Sequence, residues 1–173
     1  MDPSRIVHFK KTEEIFDIAQ KLFNEQKNFL LDNIPSPVDV QHVGSSSIPG
    51  ALTQADLDIQ IRTTKENFEK TVGILKRHFD VKHLDNWTNE FVSFTSIKNI
   101  LPTDFIVTIE HSRYDHFYKT RDYLKAHPEM LSKYNAMKQL YEGKIYSEYS
   151  DAKKLFFCGN EKVRFLKVKF LDY

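Results

Sequence analysis

Two short stretches carry residues able to do chemistry. His42-Val43-Gly44-Ser45-Ser46-Ser47 is followed, eleven residues after Ser45, by Asp56-Leu57-Asp58. A glycine and three serines after a strand form a loop whose backbone N–H groups and hydroxyls can approach phosphate oxygens closely. A short helix opened by that loop would add the positive end of its dipole. On a strand, Asp56 and Asp58 share one face and Leu57 and Ile59 the other. Paired carboxylates beside a phosphate cradle are what a hard divalent ion such as Mg²⁺ requires. Such an ion orients a nucleoside triphosphate and stabilises the charge of an in-line displacement. Each motif alone has a plainer reading, a turn or a solvated strand face; their combination at this spacing points to phosphate and metal.

The elements around these motifs follow from periodicity. From Thr12 to about Asn33, apolar residues at helical spacing (Ile15, Ile18, Ala19, Leu22, Phe23, Leu30, Leu31) predict a helix, with Glu13 and Glu14 suited to its first turn and Pro35 and Pro37 ending it. Val38 to Val43 alternates as a short strand, and Asp56 to Arg62 as a second. Thr64 caps a helix running through His78. Phe91–Thr95 and Phe105–Ile109 predict two more strands, joined by the loop around Lys98, Asn99 and Pro102. Beyond Ser112 the chain turns helical, from Tyr114 to Ala126, from Pro128 to Tyr141, and from Asp151 towards the C-terminus. The fold class is therefore α+β. It is expected as one continuous unit over residues 1–173, with a sheet-containing part to about 111 and a helical part from about 112.

Composition narrows the function classes. Lys plus Arg total 25 and Asp plus Glu 24, a net charge of +1. A sequence-independent nucleic-acid binder needs a clear basic excess, so direct nucleic-acid binding is not expected. Apolar residues at 40%, with 14 Phe and 8 Tyr, are enough for a ring-rich core. The single cysteine, Cys158, excludes a disulfide framework and any multi-cysteine zinc site, and its aromatic neighbours Phe156 and Phe157 favour a buried thiol over a nucleophile. No apolar run approaches the ~18 residues of a membrane span, and Met1–Lys10 has no apolar signal segment. A soluble, cytoplasmic protein without a membrane partner is expected.

The motifs carry a family resemblance. A Gly-Ser turn followed by paired acids resembles the nucleotidyltransferase superfamily related to DNA polymerase β. More closely, His42-Val43-Gly44-Ser45-Ser46-Ser47-Ile48-Pro49-Gly50 resembles the GrpB family, whose loop typically reads H-[IV]-G-S-T-[AS]-[IV]-P-G. Arg121-Asp122-Tyr123-Leu124-Lys125-Ala126-His127-Pro128-Glu129 is similar to a family segment F-R-D-Y-L-R-x-H-P. Tyr149-Ser150-Asp151-Ala152-Lys153 is similar to Y-[ST]-x-x-K. Where many members carry Lys-Pro, this chain has Gln54-Ala55; where many have one acid on the next strand, it has both Asp56 and Asp58. Two histidines common on the later strand fall at Ile106 and Thr108.

The resemblance implies a nucleotidyltransferase-like mixed β-sheet with flanking helices and a helical C-terminal half. It implies Mg²⁺ (or Mn²⁺) and a nucleoside triphosphate substrate, whose nucleotidyl group passes to a small-molecule or protein acceptor. Superfamily catalysts add a third carboxylate from a neighbouring strand; Asp104 is preferred here, with Glu110 on the same face as the alternative. Asp56, Asp58 and Asp104 are then the catalytic and metal-holding set, with Asp104 as ligand or general base. Gly44, Ser45, Ser46, Arg121 and Lys153 are expected around the phosphates, although Arg121 and Asp122 equally suit a local ion pair. His42 is expected to orient the loop, His127 to mark a helix junction, and Trp87 to pack. His111 and His116, five apart, do not suit a helical metal pair. The competing function is a non-catalytic module holding a nucleotide or CoA-like ligand in the same fold.

Overall fold

The computed structural model describes residues 3–159, with side chains to residue 157. The Cys158 thiol and the chain past Gly159, where the last helical segment was expected to continue, lie outside the described residues. In chain order the elements are β1 (Lys10–Lys11), α1 (Phe16–Asn33), β2 (Val38–Val43), β3 (Leu52–Thr53), β4 (Leu57–Thr63) and α2 (Lys65–His78). Then come β5 (Asp80–Lys82), β6 (Phe91–Ser96), β7 (Thr103–Ile109), α3 (Phe117–Ala126), α4 (Pro128–Leu140) and α5 (Tyr146–Gly159). A five-stranded mixed sheet has the order β2-β4-β7-β6-β5, and β1 with β3 forms a small antiparallel ribbon. β4 and β7, at its centre, run parallel; their neighbours run antiparallel. The expected α+β architecture, a mixed sheet with flanking helices and a helical second half, is what the chain adopts.

Alternation gives the sheet two chemically different faces. Leu57, Ile59 and Ile61 of β4, with Phe105 and Val107 of β7, bury into one core with Ala19, Leu22 and Leu30 of α1 and Phe68, Val72 and Leu75 of α2. Each large side chain so withdrawn from water contributes roughly 1.5–3 kcal/mol, and a one-residue slip would turn the whole set outward, so the register is fixed. The opposite face carries Asp58, Gln60 and Arg62 on β4 against Asp104, Ile106 and Thr108 on β7. That polar face looks toward the helical half, whose own smaller core joins Ile48, Leu124, Met130, Tyr134 and Phe157.

A buried polar network fastens the two halves. Arg62 grips Asp115 through both carboxylate oxygens, Nε at 2.7 Å and a terminal nitrogen at 2.9 Å, and reaches Asp39 at 2.6 Å. Gln60 donates to Thr108 and Asp115 and accepts the Tyr118 N–H at 3.0 Å. The residues Tyr114–His116 are spent on the turn that inserts Asp115, so α3 starts at Phe117, three residues later than periodicity predicts.

Local chemistry explains the other boundaries. Thr64 caps α2 by accepting the Asn67 N–H, and Lys76, Arg77 and His78 complement the dipole at its other end. The first expected turn of α1 is instead a separate 3₁₀ turn, Thr12–Glu14. Its side chains are committed elsewhere: Thr12 Oγ1 donates to the carbonyls of Ser45 and Ala51, and Glu13 accepts the Gly50 N–H at 2.6 Å. These bonds staple the glycine-serine loop to the N-terminal segment. Among the described residues no helix is long and apolar enough to cross a membrane.

Candidate active site

β2, β4 and β7 deliver their functional ends to the same edge of the polar face. There a cleft of about 1340 Å³, counting the space open at its mouth, lies between the sheet and α3, α4 and α5. Asp56, Asp58 and Asp104 all line it, together with Gly44, Ser45, Lys82, Arg121, Lys138 and Lys153. Asp58 and Asp104 stand directly side by side in the β4–β7 register. Asp56, just before β4, accepts from Thr53 Oγ1 at 3.3 Å. Glu110, the alternative third acid, follows the far end of β7, where its N–H donates to Thr63. Asp104 is therefore the acid that shares the cleft.

Gly44 has φ +71° and ψ −176°, a backbone conformation essentially restricted to glycine. A Cβ there would lie 1.9 Å from Asp58 Oδ2. The bare side of this glycine is thus filled by the Asp58 carboxylate, a reason different from close phosphate approach. Ser45–Ser47 form a single 3₁₀ turn, too short to supply the dipole that a longer helix opened by the loop would add.

The serines divide by role. Ser45 Oγ faces the cleft and accepts a 2.6 Å hydrogen bond from Lys138 Nζ. Ser46 is fully buried, and its hydroxyl lies 3.2 Å from His42 Nε2. His42 stacks on Phe23, and burial, aided by Lys125 and Arg121, lowers its pKa to about 4. It is a neutral ring that orients the loop, as expected. Ser47 Oγ closes the turn on the Gly44 carbonyl at 2.6 Å.

The cations are arranged unevenly. Arg121 lines the cleft, but its guanidinium is tied to Gln41 at 2.9 Å, the His42 carbonyl at 2.8 Å and Asp122 at 2.7 Å. It docks α3 onto the end of β2 as well as making the local ion pair. Lys138, not singled out from sequence, is buried, donates to Ser45 Oγ and the Leu52 carbonyl, and lies 4.0 Å over the Tyr134 ring. Burial and the Lys153 charge hold its pKa well below the ordinary ammonium value. Lys153 shifts the other way, raised first by Tyr134 and further by Tyr146, Asp58 and Asp56 against its burial. Lys153 is therefore the ammonium held charged across from the acids.

Asp58 bears the opposing stress. Burial first, then the Asp56 and Asp104 carboxylates, push its pKa well above the ordinary carboxylate value, while Lys153 and Lys82 pull it down. Crowded, partly desolvated carboxylates with hard oxygen donors fit a divalent cation at Asp56 and Asp58. Asp104 is in a different state: Lys82 Nζ forms an ion pair with its Oδ2. Among the described residues no three acids or histidines are grouped closely enough to hold a metal ion together.

Gln54 accepts from Arg5 at 2.5 Å, and that arginine lies 4.4 Å over the Tyr146 ring. A cation is thus supplied beside this position from the N-terminal segment. Trp87 packs edge-on to Phe94 and donates its Nε1–H to the Lys82 carbonyl at 3.0 Å, so it supports β5 rather than offering a free stacking face. His127 stacks on Tyr123 and bonds its carbonyl at the α3–α4 junction, the place expected for it.

Comparison with known proteins agrees with this geometry. A UPF0157 protein of Vibrio cholerae serotype O1 is 26% identical over 161 residues, covering 87% of this chain and 79% of the relative. The crystal structure of conserved protein GrpB from Enterococcus faecalis superposes with a TM-score of 0.62 at 17% identity, over 80% of this chain and 90% of that one. A structure of the Cid1 poly(U) polymerase with MgGTP bound matches with a TM-score of 0.51 at 12% identity, over 87% of this chain and 46% of that one. These likenesses place the fold among the nucleotidyltransferase-like folds. The sequence pattern of the GrpB protein family matches residues 16–162, and with the motif-bearing turn, sheet and helices all inside that span, the chain belongs to the GrpB family.

Proposed function

We propose that the cleft binds a nucleoside triphosphate with Mg²⁺ or Mn²⁺ and transfers its nucleotidyl group to a small-molecule or protein acceptor, in the cytoplasm where both ligands are available. The observation that carries this reading is the in-register pairing of Asp58 with Asp104 on adjacent parallel strands, beside the Gly44–Ser45 turn. Asp56 and Asp58 would hold the cation, which when bound neutralises phosphate charge and stabilises the in-line displacement. The Gly44–Ser45 turn borders the phosphates, and Lys153 supplies positive charge opposite the acids. Asp104, once free of Lys82, accepts the proton of the acceptor hydroxyl as its oxygen attacks the α-phosphorus and pyrophosphate leaves. The ligand class is supported by the fold shared with a Cid1 polymerase solved with MgGTP.

The test is a thermal-shift series of the four nucleoside triphosphates with and without Mg²⁺, on the wild type and on Asp58→Asn. Stabilisation that needs both nucleotide and Mg²⁺, and disappears in Asp58→Asn, is expected. An equal shift in the variant refutes the metal role of Asp58.

The second reading, a module that holds a nucleotide or CoA-like ligand without chemistry, is favoured by one observation: the Lys82 ion pair occupies the third carboxylate. It requires ligand-dependent stabilisation that survives Asp104→Asn, with no pyrophosphate released against any acceptor.

A further inference from the structure

We infer that Lys82 is a tethered cation that competes with a divalent ion for Asp104, and so sets which carboxylates of the cleft a metal can use. The inference rests on the metal reading of Asp56 and Asp58 given above. Lys82 Nζ pairs with Asp104 Oδ2 while both side chains are largely withdrawn from water, at 15% and 16% exposure. Asp104 is the register neighbour of Asp58, so this ammonium reaches the acid nearest the proposed ion.

Lys82 is also held in place, unlike a surface lysine. Its carbonyl accepts from Trp87 Nε1 at 3.0 Å and from Ser93 Oγ at 2.8 Å. It pairs with Ser93 across the β5–β6 ladder, and the next residue, His83, leaves the strand in the left-handed conformation at φ 47°. These constraints aim the side chain across the sheet into the cleft, where Lys82 is among the lining residues.

Charge balance gives the pairing its consequence. Asp56, Asp58 and Asp104 carry three negative charges when ionised, and one divalent ion with the Lys82 ammonium neutralises them. Lys82 thereby takes the place of further metal charge. It is a compact point charge with three donors, able to leave Asp104 for a phosphate oxygen without a change in protonation. In the free protein it keeps Asp104 out of the ligand set; a phosphate drawing Lys82 away would release that acid. Lys82 is a positioning residue in this scheme, acting through Asp104.

The experiment is Mn²⁺ binding without nucleotide, followed by calorimetry and by the loss of the free-ion electron paramagnetic resonance signal. Wild type, Lys82→Met, Lys82→Arg, Asp104→Asn, the Lys82→Met/Asp104→Asn double variant and Asp58→Asn are compared. Lys82→Met is expected to bind Mn²⁺ about tenfold more tightly than wild type, a typical size for a change at the edge of a ligand set. Lys82→Arg keeps the charge and should match wild type. Asp104→Asn alone should change affinity little, and in the double variant it should abolish the gain, the non-additivity that marks coupled partners. Mn²⁺ affinity in Lys82→Met equal to or weaker than wild type, with binding still lost in Asp58→Asn, overturns the inference alone. Absence of Mn²⁺ binding in wild type and Lys82→Met alike overturns the metal reading and this inference with it.

Discussion

Replacing Gly44 with alanine tests how the glycine-serine turn and the acids depend on each other. Two effects add. The backbone at φ +71° and ψ −176° is one that side-chain-bearing residues strongly avoid, a strain of about 1–3 kcal/mol. The new Cβ also meets Asp58 Oδ2 at 1.9 Å, its Cγ at 2.8 Å and its Cβ at 2.9 Å, so the carboxylate must leave its seat. Gly143 provides the control: its φ is +74°, but nothing lies within 4 Å of an added Cβ. Taking about 2 kcal/mol as the backbone strain, Gly143→Ala should lower Tm by about 4–8 °C for a chain of this size. Gly44→Ala should lose more, and should also lose the Mg²⁺-dependent nucleotide shift that Gly143→Ala retains. Calorimetric unfolding with and without ligand measures both. If Gly44→Ala matches Gly143→Ala in Tm and in ligand response, Asp58 is not seated by the absence of a side chain at position 44, and the argument fails.

Two further outcomes follow from buried charge. His42 is held neutral with its pKa lowered to about 4, below its unfolded value, so its contribution is present above about pH 6.5 and is lost as pH falls through 4. His42→Gln should therefore show a shallower loss of Tm between pH 7 and pH 4 than wild type; equal slopes would contradict the assignment. Asp115→Ala leaves the Arg62 guanidinium, only 12% exposed, without its bidentate partner, and removal of one member of a buried pair costs about 3–5 kcal/mol. Urea titration should show that loss, and a change below 1 kcal/mol would mean that the pair behaves as a surface contact.

The sheet was readable because burial leaves a period in the sequence. Leu57, Ile59 and Ile61 alternate with Asp58, Gln60 and Arg62, and the strand turns each set to one face. The Gly-Ser turn with Asp56 and Asp58 was readable because these residue types are rare together. Asp104 came from the family resemblance, with Glu110 as the alternative, and it is the parallel β4–β7 register that sets Asp104 beside Asp58. Other groups left no such mark. Lys82 ends a three-residue edge strand, too short for alternation to register. Lys138 in α4 reads as an ordinary helix lysine in sequence; its burial comes from partners distant in the chain, Ser45 and Leu52 among them. Three adjacent serines look alike in sequence, whereas a 3₁₀ turn sends one hydroxyl to the cleft, one to His42 and one back to Gly44. Thr12 gave a helix-start signal, but its hydroxyl is drawn off by two loop carbonyls.

The bond from Lys138 to Ser45 spans 93 residues of chain, and this separation bears on how the protein is made. During synthesis the turn and the strand carrying Asp56 and Asp58 leave the ribosome first, yet the wall bearing Lys138 and Lys153 emerges only with α4 and α5. Contacts so distant in sequence close late and slowly. Until they close, Asp56 and Asp58 face water without the Lys153 ammonium opposite them. A nascent chain therefore passes through a stage in which its sheet can be complete while the cleft has one side.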